Sequence, residues 1–217
     1  MSLRLIVFDL DGTLVDSRRD LTDSANAVLA SYGADPLSEE VIGRMVGEGA
    51  AVLVARAFAA SGRERPADAL DRFLAIYDER LLRHTRAYPK MPEVLAELRT
   101  RARLGVLTNK PLGATRRVLA GLDLARFFSD EYVVGGDGPF PRKPDPAGLH
   151  HLIAAAGATP GETVLVGDSV IDWRTARSAG TRVCLARYGF GFEGFPIEEL
   201  HDGESVVDQP EHLSAML

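Results

Sequence analysis

The chain has 217 residues, 46% apolar and 26% charged, with a net charge of −6. This is an ordinary globular composition, long enough for a substantial core in one domain or in one domain carrying an insertion. The acidic balance excludes a nucleic-acid footprint, which calls for a basic surface, and the single cysteine, Cys184, excludes an intramolecular disulfide. No stretch approaches the roughly 20 apolar residues of a membrane helix, and a strand-like run begins almost at Met1, which leaves no visible signal peptide. A soluble, cytoplasmic protein is therefore expected, with Cys184 a small core residue of a strand.

Leu5, Ile6, Val7 and Phe8 form an apolar run without alternation, the pattern of a central parallel strand buried on both faces. The run stops at Asp9, Asp11, Gly12 and Thr13. Taken alone, Asp-Gly is a common turn. At a strand end, however, two carboxylates one residue apart repel each other, and a divalent cation resolves that conflict. Mg2+ is the usual guest of a few carboxylates plus a substrate phosphate.

Residues 16–85 then change character. Leu21, Ala25, Val28, Leu29 and Tyr32 recur at helical spacing before Gly33, and Ser38 caps a second helix with Glu39 and Glu40 in its first turn. Gly47-Glu48-Gly49 breaks the pattern before a helix running to about Ala60. Pro66 opens a longer helix in which Leu70, Phe73, Leu74, Tyr77 and Leu81 line one face. No part of this stretch reads as a strand, so a helical insertion of about four helices is expected, packed by its own apolar stripes.

From Ala87 onward helices and strands alternate. Strands are expected at 104–107, 132–134, 164–166 and 182–186, with a last edge strand at 205–207 and a terminal helix over 210–216. The fold class is thus α/β: a Rossmann-like three-layer core around a central parallel sheet. Residues 1–15 and 86–217 form the core, and residues 16–85 form a helical cap inserted after the first strand.

The strand ends carry the chemistry. Strand 104–107 ends at Thr108-Asn109-Lys110-Pro111, strand 132–134 leads through Gly135-Gly136-Asp137 to Arg142-Lys143-Pro144, and strand 164–166 ends at Gly167-Asp168-Ser169 with Asp172 four residues after Asp168. Singly, Thr108 reads as a strand end, Lys143 as a solvated loop charge and Asp168 as a helix cap. Their order at successive strand ends outweighs those readings, because a nucleophile, a cation and hydrogen-bond donors form a complete set for phosphoryl transfer.

Together these motifs resemble the haloacid dehalogenase-like hydrolase superfamily over essentially the whole chain. The phosphoglycolate phosphatases are the closest subgroup, through Val46-Gly47-Glu48-Gly49, Leu107-Thr108-Asn109-Lys110-Pro111, Val134-Gly135-Gly136-Asp137 and Tyr188-Gly189-Phe190-Gly191. The resemblance implies a Mg2+-dependent phosphatase of a small phosphorylated metabolite, phosphoglycolate first. It makes Asp9 the nucleophile, Asp11 the general acid and base, Thr108 a hydrogen-bond donor to the transferring group and Lys143 the neutralising cation. Asp9, Asp168 and the main-chain carbonyl of Asp11 become metal ligands, with Asp172 behind them. Thr13 would brace the turn, and Asn109 and Glu48 would belong to the second shell or the substrate loop. The acid at Asp11 argues against dehalogenation, since a halide leaving group needs no proton, and the absence of lysine from residues 16–85 argues against a Schiff-base phosphonatase.

Within the superfamily a β-phosphoglucomutase-like enzyme, a pyrophosphatase and a nucleotide or sugar phosphatase stay open, and outside it a phospho-accepting signalling domain. Monomer and homodimer both stay open. Two departures from the family pattern stand out. Lys90 occupies a turn position where glycine is usual, and Trp173 is bulkier than expected, its role left open with a domain or subunit boundary as one option.

Overall fold

The computed structural model describes residues 2–201 and 203–217. In chain order the elements are β1 (Leu5–Phe8), β2 (Val15–Asp16), α1 (Arg18–Ser31), α2 (Glu39–Gly43), α3 (Ala50–Ala60), α4 (Ala69–Arg80), β3 (Arg86–Ala87) and α5 (Met91–Leu98). They continue with β4 (Arg103–Leu107), α6 (Leu112–Gly121), β5 (Val133–Val134), α7 (Ala147–Ala155), β6 (Thr163–Gly167), α8 (Val170–Ala179), β7 (Arg182–Ala186), β8 (Ser205–Val207) and α9 (His212–Met216).

Among the described residues the main sheet has six parallel strands in the order β5-β4-β1-β6-β7-β8. β1 is flanked by β4 and β6, with Phe8 opposite Val106 on one side and Val166 on the other. All four of its residues are buried, and they divide by the two-residue period of a strand. Ile6 and Phe8 join the apolar cluster under α5, α6 and α9, whereas Leu5 and Val7 join the one under α7 and α8. The chain runs outward from β1 to β4 and β5, then returns past β1 to β6. Its direction therefore reverses at the carboxyl end of β1, where an open α/β sheet leaves a crevice for a ligand.

α1 to α4 rise between β1 and β4. Their apolar residues, among them Leu29, Phe58 and Phe73, belong to the same continuous cluster as Ile6 and Phe8. α4 begins at Ala69, three residues later than Pro66, and its buried face is Ala69, Phe73 and Tyr77 at four-residue spacing. Leu74 lies off that face and is 37% exposed.

Two short elements escaped the periodicity. β2 and β3 pair antiparallel, Val15 with Ala87 and Asp16 with Arg86, at the point where the chain leaves the core and comes back. A two-residue strand is too short to show alternation. Asp20, buried in α1, secures the same crossing. Its carboxylate accepts from the backbone amides of His84 and Thr85 and from the Thr85 hydroxyl at 2.7–3.0 Å.

The two departures resolve differently. Lys90 adopts the left-handed conformation at φ 64°, so the turn before α5 keeps its glycine-like shape with a lysine in it. Trp173 packs in the apolar cluster under α7 and α8. It is buried inside the core, edge-on to Phe195 at 5.5 Å and under the Arg177 guanidinium at 4.0 Å, and its indole N–H donates to Glu204 at 3.0 Å. Cys184 is a buried, free strand residue whose thiol burial pushes up to about 11, which fits packing rather than nucleophilic attack. No helix among the described residues is long and apolar enough to cross a membrane.

Candidate active site

The carboxyl ends of β1, β4 and β6 bring the sequence motifs together. Asp9 follows β1 and is held there by its amide, which donates to the Val166 carbonyl at 2.8 Å. Gly12 turns the chain out of the strand at φ 91°, and a Cβ there would stand 1.9 Å from a carboxylate oxygen of Asp168, so only glycine fits this approach. Thr13 is buried behind the turn. Its hydroxyl has no partner among the described residues, and its carbonyl accepts from the Tyr188 hydroxyl at 3.0 Å.

Lys143 lies between two carboxylates, 2.8 Å from Asp9 and 2.6 Å from Asp172. Burial alone would lower its ammonium, but Asp172 and Asp9 outweigh burial and raise it, so it stays charged at neutral pH. Both oxygens of Asp172 are engaged, one by Lys143 and the other by the amide and hydroxyl of Ser169 in a capping box at the start of α8. Asp172 is thereby a positioning group for Lys143.

Asp9, Asp168 and Asp172 form a buried acidic cluster whose ligand atoms lie within 4.8 Å of one another. Burial, then Asp172 and Asp9, push Asp168 well above the ordinary carboxylate range. Burial likewise pushes Asp9 up to about 6 against the pull of Lys143. One Asp168 oxygen accepts from the Gly191 amide at 2.7 Å, and that segment packs so closely that a Cβ at Gly189 would meet the Asp168 side chain at 2.3 Å. Three buried carboxylates against one lysine leave a deficit of positive charge. An all-oxygen donor set of this kind suits a hard divalent cation.

Asp11 turns away from that cluster. Its carboxylate accepts from the Ser17 hydroxyl at 2.6 Å and from Lys110 Nζ at 2.7 and 3.0 Å. Ser17 occupies the N-cap position of α1 without capping it, its hydroxyl being spent on Asp11. Thr108 is buried at the end of β4, and its hydroxyl accepts from the Lys110 amide at 3.2 Å. Asn109 ties three segments together: its side-chain amide donates to the carbonyls of Gly47 and Lys143 at 2.8 and 2.9 Å, and its side-chain oxygen accepts from the Lys143 amide at 2.9 Å.

A cavity of about 70 Å³ opens between these residues and the helices above. Asp9, Asp11, Thr108, Asn109 and Lys110 form its floor, while Leu21, Val46, Gly47, Leu53, Phe73 and Tyr77 belong to its roof. Gly47 and Gly49 line the cavity. Glu48 between them does not line the cavity; it pairs with Arg56. Arg44 pairs with Glu193.

Lys110 is the residue that motif reading passed over. Its position in Thr108-Asn109-Lys110 was visible, but its partners, Asp11 and Tyr77, lie 99 and 33 positions away in the chain.

A family model described as haloacid dehalogenase-like hydrolase matches residues 6–186. The chain is 46% identical over 199 residues to a phosphoglycolate phosphatase of Rhodospirillum rubrum, covering 88% of this chain and 82% of that one. It is 39% identical to phosphoglycolate phosphatase 1 of Pseudomonas aeruginosa, covering 90% of this chain and 73% of the relative. Among solved structures, one described as a predicted phosphoglycolate phosphatase from Haemophilus somnus superposes with a TM-score of 0.90 at 31% identity, covering 100% of this chain and 98% of that one.

Proposed function

The chain belongs to the haloacid dehalogenase-like hydrolase family and is a phosphatase, and we propose that it hydrolyses phosphoglycolate with Mg2+ through an aspartyl-phosphate on Asp9. The observation that carries this reading is the Asp9 carboxylate, buried at the end of β1, fixed by Lys143 at 2.8 Å and facing the cavity. The phosphoglycolate assignment rests on the relatives named above and on the small size of the cavity.

Asp9 forms a bond to phosphorus as the ester P–O bond breaks, and Asp11 gives a proton to the departing alkoxide. Asp11 then takes a proton from water, whose oxygen attacks phosphorus and releases phosphate from Asp9. Lys143 holds the Asp9 carboxylate in place and neutralises charge on the transferring group, to which Thr108 donates a hydrogen bond. Asp9, Asp168 and the main-chain carbonyl of Asp11 would hold Mg2+, with Asp172 fixing Lys143 behind them. When bound, Mg2+ supplies positive charge that lets an anionic nucleophile and an anionic phosphate approach. Residues 16–85 act as the cap that excludes water and selects the leaving group, and residues 1–15 and 86–217 act as the catalytic core.

Phosphate release from a panel of small monoesters, with and without Mg2+, tests the reading. Turnover is expected to need Mg2+, to be best with phosphoglycolate, and to fall at least about 10⁴-fold in Asp9→Asn. A folded wild type that releases phosphate from no member of the panel overturns it. Near-normal turnover of alkyl phosphates by Asp11→Asn would remove the acid–base role.

A further inference from the structure

We propose that Lys110 and Tyr77 together form a receptor for an anionic group on the leaving-group side of the substrate, so that the enzyme selects monoesters bearing a carboxylate. The proposal rests on the phosphatase reading and deepens it.

Lys110 is the one basic side chain on the cavity lining among the described residues. Lys143 is committed to Asp9 and Asp172 on the phosphoryl side. The roof offers no alternative. Arg44 and Arg56 are paired with Glu193 and Glu48, and Arg142 lies against Gly49 outside the lining, donating to the Gly136 carbonyl. The rest of the roof is apolar, and an anion placed against Leu53 or Phe73 without a partner would lose its hydration uncompensated.

Tyr77 supplies the second half. Its hydroxyl accepts from Lys110 Nζ at 2.8 Å, and the ammonium also lies 4.7 Å from the ring centroid. The phenolic proton has no acceptor among the described residues, although the side chain is buried at the cavity. Burial pushes the phenol up to about 12, so it keeps that proton at neutral pH. A charged donor and an adjacent neutral donor whose proton is unspent make a site that an incoming carboxylate completes. The amide end of α3, at Gly49 and Ala50, opens on the same cavity and adds positive potential there.

Tyr77 is on α4 and Lys110 follows β4, so the receptor assembles only when helix and sheet edge are together. A carboxylate taken up by Lys110 also competes with Asp11 for the ammonium. Binding of the anion thus loosens the group that must handle the leaving-group proton.

The test compares phosphoglycolate with ethyl phosphate, which lacks the carboxylate, and reads the ratio of the two kcat/KM values. This ratio does not depend on the fraction of protein folded. Wild type is expected to favour phosphoglycolate, Lys110→Met to lower the ratio about 10–100-fold, and Tyr77→Phe to lower it several-fold. Equal losses on both substrates in Lys110→Met overturn the receptor and leave Lys110 only its contact with Asp11. A wild type that favours another anionic monoester over its neutral counterpart, with the preference lost in Lys110→Met, supports the receptor and overturns the phosphoglycolate assignment alone.

Discussion

The floor and the roof of the cavity are built on opposite principles. On the floor nearly every functional side chain is held by another: Asp9 and Asp172 by Lys143, Asp11 by Ser17 and Lys110, and Asn109 by the Lys143 backbone. Such mutual fixation places charge before the substrate arrives, which is what electrostatic catalysis requires. The roof is apolar, apart from the Tyr77 hydroxyl and main-chain groups of Gly47 and Gly49, and it touches the floor through few polar contacts. It supplies shape and dryness. Charge is thus concentrated at the sheet edge and apolar surface on the helices above it, and the proposed Lys110–Tyr77 receptor spans the two.

The sharpest way to break this contrast is to remove the cation at the centre of the floor. In Lys143→Met, Asp9 and Asp172 each lose their ammonium partner while Asp168 remains buried beside them. Leaving buried carboxylates uncompensated costs about 3–5 kcal/mol. Urea denaturation of the metal-free variant at pH 7.5 should show a loss of that size, with turnover abolished. An unchanged midpoint would mean that the floor is not an electrostatic unit.

A smaller effect should come from pH and metal. The folded chain holds Asp9 at about 6 and Asp168 well above the unfolded value of 3.8. Between about pH 4 and 6 the folded state therefore binds more protons than the unfolded state, and stability contributed by these groups falls as pH rises through that window. Metal-free protein should thus melt lower at pH 7.5 than at pH 5 by more than Asp168→Asn does. Mg2+ should narrow the difference in wild type by binding only the folded state. A melting temperature indifferent to Mg2+ at pH 7.5 would remove the metal from the floor.

Legibility in the sequence follows the same division. The buried strand Leu5–Phe8 and the strand ends carrying Asp9, Thr108 and Asp168 were readable because each strand is long enough for its apolar run to stand out, and each polar group comes directly after it. Helices α1 to α4 were readable from their spacing, although α4 starts at Ala69 rather than at Pro66. What stayed hidden depends on contacts between distant segments. Ser17 enters only once Asp11 is placed beside it, and Lys110 has no evident task until α4 brings Tyr77 to it. Trp173 inside the core is likewise decided by contacts with distant segments, while Lys90 simply holds the left-handed turn.

Leu74 offers the mildest test and the one most specific to the roof. Helical spacing assigns it to the packed face of α4 with Phe73 and Tyr77, yet it is 37% exposed and borders the cavity. A side chain already partly in water loses little on truncation, so Leu74→Ser should cost about 1 kcal/mol or less in stability. If the roof acts by shape alone, the variant should lower kcat/KM less than about tenfold, through KM, because the removed contact is equally strong in bound substrate and transition state. A collapse of kcat in a stable Leu74→Ser protein would place the roof in the chemical step itself. The separation between a charged floor and an apolar roof would then fail at its weakest point, where an apolar side chain borders the cavity that Asp9 faces.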